Sequence, residues 1–266
     1  IISEYLRKRY PNRIKIQASF HGKMDFSENK NYFKKIIKKQ LGIILINRLD
    51  SIRLVNLDQM QEILPKVKCK EKIEIIPIPI KVAKVSIYCN DQALGFIGRL
   101  HEERGLTEWI RIAKLCAENN IVKKIVIAGE GKSKDWFLKE LGKIQNLEVE
   151  YLGFVRNEEM QKTFGKIRVL LSSAPTESYG MTIRESMASG VPVVARTNNT
   201  TRFLNYKAPD LLDLYQNETE AAAKIKIKMT EEYRDLSAIE KFRKQLQEES
   251  DTNLHRLVES WINLTL

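Results

Sequence analysis

The chain's 266 residues suffice for about two domains, each with its own core, and 43% hydrophobic with 30% charged residues is the balance of a folded chain, not a disordered one. No apolar run approaches the roughly 20 residues of a membrane span, and no signal peptide is visible at Ile1. A net charge of +11 favours anionic partners, namely nucleotide phosphates, acidic lipid surfaces or nucleic acid. Nucleic acid is not expected among them, because Lys and Arg are scattered and no RNA-binding aromatic signature, zinc finger or helix-turn-helix is present. Cys69, Cys89 and Cys116 share no metal-type spacing and cannot all pair, which points to a reduced, cytoplasmic protein.

In chain order, residues 1–10 place Ile1, Ile2, Tyr5 and Leu6 on one helical face, ended by Pro11 and Asn12. Residues 13–20 alternate, with Ile14, Ile16, Ala18 and Phe20 on one side, and this strand runs into His21 and Gly22. Residues 29–41 set Tyr32, Phe33, Ile36, Ile37 and Leu41 among five lysines. Such a basic amphipathic helix either packs its stripe on a sheet or lies on an anionic membrane. A strand at 43–46, a helix over 51–64 stopped by Pro65, and a strand at 73–76 follow. Pro77 and Pro79 then lead into a linker over residues 80–92.

Beyond the linker, residues 93–99 form an apolar strand ending in Gly98 and Arg99, and Arg104 follows shortly. A helix over 106–119 and a strand over 124–128 come next, the latter ending in Gly129, Glu130 and Gly131. This turn lacks the third glycine of a dinucleotide fingerprint. A helix over 133–142, a strand at 147–151, the triplet Gly153, Phe154, Val155 and a helix over 157–164 complete the approach to residues 170–195, LLSSAPTESYGMTIRESMASGVPVVA. That stretch reads as strand, loop, short helix, strand. Glu177 lies in the loop and Glu185 about one turn into the helix, so both can face one crevice at a helix N-terminus, where amides favour anions. Equally, Thr182 and Glu185 fit a capping box, and Glu177 an ordinary loop acid.

No element is assigned over residues 196–201; the triplets headed by Asn198, Asn199, Asn217 and Asn263 look like glycosylation signals by chance. Residues 217–229 read as a helix capped by Asn217, with Glu220 three residues on. The last helix, from about residue 251, carries Leu254, Leu257, Val258, Trp261 and Ile262 on one stripe. Alternation of strand and helix implies parallel sheets with ligands outside the strands' carboxyl ends. His21, Arg99, Gly129, Phe154 and Glu177 each directly follow an apolar run, which concentrates them at such ends.

The run Glu177, Ser178, Tyr179, Gly180, Glu185, Ser186, Met187, Ala188, Gly190, Pro192, Val193 and Val194 resembles the signature of retaining nucleotide-sugar glycosyltransferases of the GT-B fold, the group 1 type. Residues 96–106, FIGRLHEERGL, resemble that family's Gly-Arg motif followed by Lys-Gly, with Arg104 in place of the usual lysine. The resemblance implies an α/β protein of two Rossmann-like domains. Residues 1–85 would be a partial acceptor-side domain, 86–235 the nucleotide-sugar domain, and 236–266 helices crossing back to the first domain. The family's first domain opens with a strand and a glycine-rich loop, and too few strands precede residue 80 for that unit. A fragment, a shortened member and half of a two-chain enzyme all fit.

The same resemblance implies glycosyl transfer from a UDP- or GDP-sugar to a glycan or lipid-linked acceptor, with retention. Catalytic roles fall to Glu177, which meets the sugar, and to His21, which positions it. Arg99, Arg104 and the amides of Gly180, Met181 and Thr182 would hold the diphosphate, with Ser178 and Tyr179 beside the donor. Glu185 would accept from the ribose hydroxyls, Phe154 and Val155 would flank the base, and Gly129 would lie near the nucleotide. No Asp-x-Asp occurs, so neither metal nor cofactor is expected. A lipid-linked acceptor would suit peripheral contact with the inner face of a membrane. A catalytically silent module that binds nucleotide sugar or a partner chain is the competing expectation.

Overall fold

A computed structural model describes residues 9–10, 14–21, 32–82, 93–231 and 235–265, with side chains in the first helix from residue 40 onward. All but the end of the expected 1–10 helix, most of the 80–92 linker and Cys89 lie outside the described residues. The chain divides into two compact units, one of residues 1–79 with 249–266 and the other of residues 80–248.

In the first unit, strands β1 (Gln17–Phe20), β2 (Ser51–Leu54) and β3 (Ile73–Ile75) form a parallel sheet in that order. Helices α1 (Tyr32–Asn47) and α2 (Leu57–Ile63) complete the crossovers. Two expectations are corrected here. Residues 43–46, read as a strand, close α1; residues 51–54, read as helix, are the middle strand. A four-residue apolar run has no periodicity that separates strand from helix. In α1 the run sends Ile46 into the core and leaves Ile44 and Leu45 exposed. The helix boundary after β2 is set by Asn56, whose side chain accepts from the Gln59 amide at 2.9 Å.

One face of this sheet is apolar: Ile52 and Leu54 pack with Ile46, Ile63 and Val67. The other is polar, because the alternation of β1 and β2 puts Gln17, Ser51 and Arg53 there. It is covered by the end of a 30-residue helix, Leu236–Thr265, which begins well before the expected residue 251. Ser260 of this helix accepts from Gln17 at 2.9 Å and donates to Glu74 at 3.1 Å, and Trp261 Nε1 donates to Gln17 at 2.8 Å. Its packed side is therefore Asn253, Leu257 and Ser260, whereas Leu254, Val258, Trp261 and Ile262 of the expected stripe stay half-exposed. A polar sheet face selects the polar side of the helix, since buried polar groups need partners.

The second unit is a six-stranded parallel sheet. Its strands are β4 (Ala93–Ile97), β5 (Lys124–Ala128), β6 (Glu148–Gly153), β7 (Val169–Ser172), β8 (Val193–Arg196) and β9 (Leu212–Tyr215), in spatial order β6-β5-β4-β7-β8-β9. Helices α3 (Leu106–Glu118), α4 (Lys134–Leu141), α5 (Met160–Phe164), α6 (Met181–Ala188), α7 (Asn199–Lys207) and α8 (Glu218–Thr230) alternate with them, and the first part of α9 (Leu236–Thr265) ends the unit. Phe96, Trp109 and Phe137 form an aromatic cluster with centroids 5.4 to 5.9 Å apart, and Trp109 Nε1 donates to the Leu171 carbonyl at 3.1 Å.

The sequence reading missed α7 and β9. Asn198, set aside as a chance glycosylation triplet, is the N-cap of α7: it accepts from the Thr201 amide at 3.0 Å, and Thr201 Oγ1 accepts from the Asn198 amide at 2.8 Å. Asn198→Ala is expected to cost about 1 kcal/mol. In a unit of this size that lowers Tm by roughly 2–4 °C, measurable by thermal denaturation. The expected cap at Asn217 is present on α8, accepting from Glu220 at 2.9 Å.

Candidate active site

In the second unit the chain runs outward from β4 through β5 to β6 and from β7 through β8 to β9, so strand order reverses between β4 and β7. A crevice opens outside the carboxyl ends at such a point. Here it is lined by Phe96, Ile97, Arg104, the end of β7 through Ala174, Glu177, Thr182 and Ile183. Three of the expected site residues, Arg104, Glu177 and Thr182, are thereby brought together.

Two close backbone approaches build this crevice. Gly105 has φ +68°, and a Cβ there would stand 2.1 Å from the Ser173 carbonyl oxygen. This lets the start of α3 sit against the end of β7, where Ser173 Oγ donates to the Arg104 carbonyl at 2.9 Å. Gly129 approaches Gly98 in the same manner, a Cβ standing 1.9 Å from the Gly98 carbonyl oxygen. Its own amide donates to Gly153 at 2.7 Å, and Leu100 donates to Glu130 at 2.9 Å. The Gly129 turn thus braces the loop that carries Arg99.

The two arginines differ. Arg104 Nη1 stands 2.7 Å from Glu177 Oε2, with the carboxylate side chain only 13% exposed. Arg99 is at the rim, 69% exposed, with Glu103 at 3.4 Å. The other Glu177 oxygen accepts from the Ser178 amide at 3.2 Å, while the Glu177 carbonyl accepts from Thr200 of α7 at 2.6 Å. Ser173 and Thr200 thus position the paired charges. Sequence reasoning found neither, because α7 was not recognised and Ser173 carries no motif.

Gly180, at φ +72°, is the N-cap of α6, and no side chain caps that helix. The capping box of Thr182 and Glu185 is absent, which leaves the first amides of α6 for an anion and Glu185 for another role. Among the described residues no hydrogen bond or ion pair engages the Glu185 carboxylate, and burial raises its pKa from 4.5 to about 6. Tyr179 is turned inward, with the Arg184 guanidinium 4.1 Å over its ring and Arg184 Nε donating to its carbonyl at 3.1 Å. Met181 is half-exposed at the helix start, and Phe154 is 76% exposed beside Val155 at the end of β6. Two strand spacings, roughly 10 Å, separate β6 from β4. His21 is the exception to this gathering: it follows β1 in the first unit, where burial and the charge of Arg53 lower its pKa.

Among the described residues no helix is long and apolar enough to cross a membrane, and no group of three or more His, Cys, Asp or Glu side chains is arranged as metal ligands.

The model of the family glycosyl transferases group 1 matches residues 78–245, more than half of the chain. The uncharacterized glycosyltransferase MJ1607 of Methanocaldococcus jannaschii is 30% identical over 113 residues, 41% of this chain and 28% of that protein. The uncharacterized glycosyltransferase YqgM of Bacillus subtilis is 25% identical over 249 residues, 84% of this chain and 67% of that protein. The chain thus spans well under two thirds of the archaeal relative's length. The crystal structure of Anabaena HepE in complex with UDP-glucose aligns with a TM-score of 0.71 at 17% identity, over 98% of this chain and 74% of that one. The architecture is accordingly GT-B, an α/β fold of two parallel Rossmann-like units with the first the smaller. The chain belongs to the glycosyl transferases group 1 family.

Proposed function

We propose that the chain transfers a sugar from a nucleoside-diphosphate sugar to a glycan or lipid-linked acceptor with retention of anomeric configuration. The observation that carries this reading is the pairing of Arg104 with Glu177 at 2.7 Å beside the uncapped start of α6, in the crevice between β4 and β7. Such a site offers cations and amides to a diphosphate and a carboxylate to the sugar bound to it.

In the transition state the sugar gains positive charge and the departing diphosphate gains negative charge. Arg104 and the amides of Met181 and Thr182 meet the negative charge, in place of a metal ion, and Arg99 adds to the field from the rim. Glu177 meets the sugar hydroxyls and the developing positive charge. Glu185 accepts hydrogen bonds from the ribose hydroxyls, which supplies the partners its half-buried carboxylate lacks. Phe154 offers an exposed ring to the base, with Val155 beside it. His21, held neutral at pH 7, keeps the catalytic role that the family resemblance assigns.

A panel of UDP- and GDP-sugars, followed by nucleotide release and by NMR of the new anomeric centre, tests this. Turnover of one donor with an unchanged anomeric configuration is expected. Inversion would remove the retaining mechanism, and absence of nucleotide-sugar binding would remove the donor site.

A further inference from the structure

Charge is unevenly divided along the chain. Residues 1–79 carry 17 Lys and Arg against 8 Asp and Glu, whereas residues 80–266 carry 28 against 26. Of the net charge of +11, the leading segment of the first unit therefore holds +9. The transfer reading does not use this excess, since its diphosphate is met in the second unit. One sign of charge concentrated in one part of a chain marks an anionic surface as its partner.

Aliphatic surface lies beside part of this charge. Helix α1 buries Gly42 and Ile46, while Leu41, Ile44 and Leu45, spaced as one side of a helix, are 40 to 52% exposed. Five lysines precede them in residues 30–39. The end of α1 is tied to a second basic stretch, residues 66–72, which holds four lysines and one glutamate. Asn47 Nδ2 donates to the Lys66 carbonyl at 2.8 Å, and Asn47 Oδ1 accepts from the Lys68 amide at 2.7 Å. Lys72 Nζ donates to the Leu49 carbonyl at 2.9 Å. Lys68 and Lys70 are exposed, and neither forms an ion pair with a described residue.

Aliphatic side chains and lysines on one surface fit the boundary of a bilayer, which takes the former among acyl chains and the latter beside anionic headgroups. Nucleic acid would match the charge but gain nothing from Leu41, Ile44 and Leu45, because phosphates and bases are held by polar groups and aromatic rings. We propose that the outer face of α1, with the adjoining lysine loop, docks the protein on anionic lipid bilayers. The patch lies toward the amino ends of β2 and β3, away from the carboxyl ends at which ligands of such sheets bind. It rests on no part of the transfer reading.

The test is co-sedimentation of the full chain with large vesicles. Phosphatidylcholine mixed with phosphatidylglycerol is expected to bind about tenfold or more tightly than phosphatidylcholine alone, with binding that weakens as salt rises. Lys68→Gln with Lys70→Gln is expected to lower binding by about tenfold or more. Ile44→Gln with Leu45→Gln is expected to lower it by about the same factor, a loss that charge alone does not produce. Thermal denaturation checks the fold of each variant, and Leu41→Gln, at the most exposed of the three aliphatic positions, serves if the double change melts early. Equal binding to the two vesicle types, or unchanged binding by either double variant, would overturn the proposal. So would duplex DNA that displaces the protein from mixed vesicles and is held equally by the Ile44→Gln, Leu45→Gln variant, which assigns the charge to nucleic acid. A dimer in solution that the same variant dissolves would overturn it in favour of a second copy. UDP-glucose binding without vesicle binding removes the docking surface alone, and vesicle binding without UDP-glucose binding removes the transfer reading alone.

Discussion

Arg104→Ala is expected to lower kcat/KM for nucleotide-sugar turnover by about 100- to 1,000-fold, the loss seen when one fixed donor to a developing anion is removed. Arg99→Ala is expected to cost about tenfold or less, because a largely exposed cation acts through solvent and salt screens it. The difference follows from placement. Arg104 lines the crevice and is held at its carbonyl by Ser173 and at its guanidinium by Glu177, so its charge needs little reorganisation as the leaving diphosphate forms. Its removal also strands Glu177, whose side chain is only 13% exposed, without a counter-ion. The two losses are coupled, so Arg104→Ala with Glu177→Gln together should cost less than the sum of the single changes. Steady-state nucleotide release across the four proteins measures this. Equal losses for the two arginines would withdraw the assignment of the diphosphate to Arg104.

Glu185→Gln is expected to separate stability from binding. Burial raises the folded pKa from 4.5 to about 6, so ionised Glu185 disfavours folding, with the penalty absent below pH 4.5 and complete above pH 6. A shift of this size corresponds to at most about 2 kcal/mol, less whatever solvent screening recovers. The Gln variant should therefore melt several degrees above the unaltered chain at pH 8 and level with it at pH 4. Its affinity for UDP should fall by about tenfold or more, because a neutral amide is a weaker acceptor than a carboxylate. In the unaltered chain affinity for UDP-glucose, whose diphosphate lacks the terminal ionisation near pH 6, should decline as pH drops through 6, and the variant should be flat over that range. Calorimetric titration between pH 5 and 8 reads both effects. A variant that binds UDP as well as the parent at pH 8 would remove Glu185 from the ribose.

Much of the second unit was legible because its signals are local. Apolar runs ended by Gly98 and Gly129, and an alternating run ended by Gly153, mark strand ends, and Asn217 with Glu220 marks a helix start. The parallel α/β class and the gathering of Arg104, Glu177 and Thr182 follow from that order. Three things were not legible, each for a tertiary reason. The Ile43 to Ile46 run is apolar whichever element it joins, and only packing against Ile52 and Val67 makes it the end of α1. The cap at Asn198 shares its residues with a glycosylation triplet, so the same letters carry two readings. The direction of a side chain is invisible to spacing: Tyr179 turns inward to Arg184 although Glu177 and Thr182 line the crevice, and Arg53 occupies a buried strand position that alternation alone leaves to any polar residue.

The polar seam among Gln17, Ser51, Glu74, Ser260 and Trp261 sets the order in which the chain can mature during synthesis. Its partners lie up to 244 residues apart, so the first unit, although its strands are made before the second unit, waits for residues 249–266 before one face of its sheet is covered. The second unit is continuous from residue 80 to 248 and carries no such dependence. A stop codon after Glu248 would accordingly spare the later-made unit and leave the earlier-made one with Gln17 and Glu74 facing water, exposed to proteases and chaperones for as long as it persists.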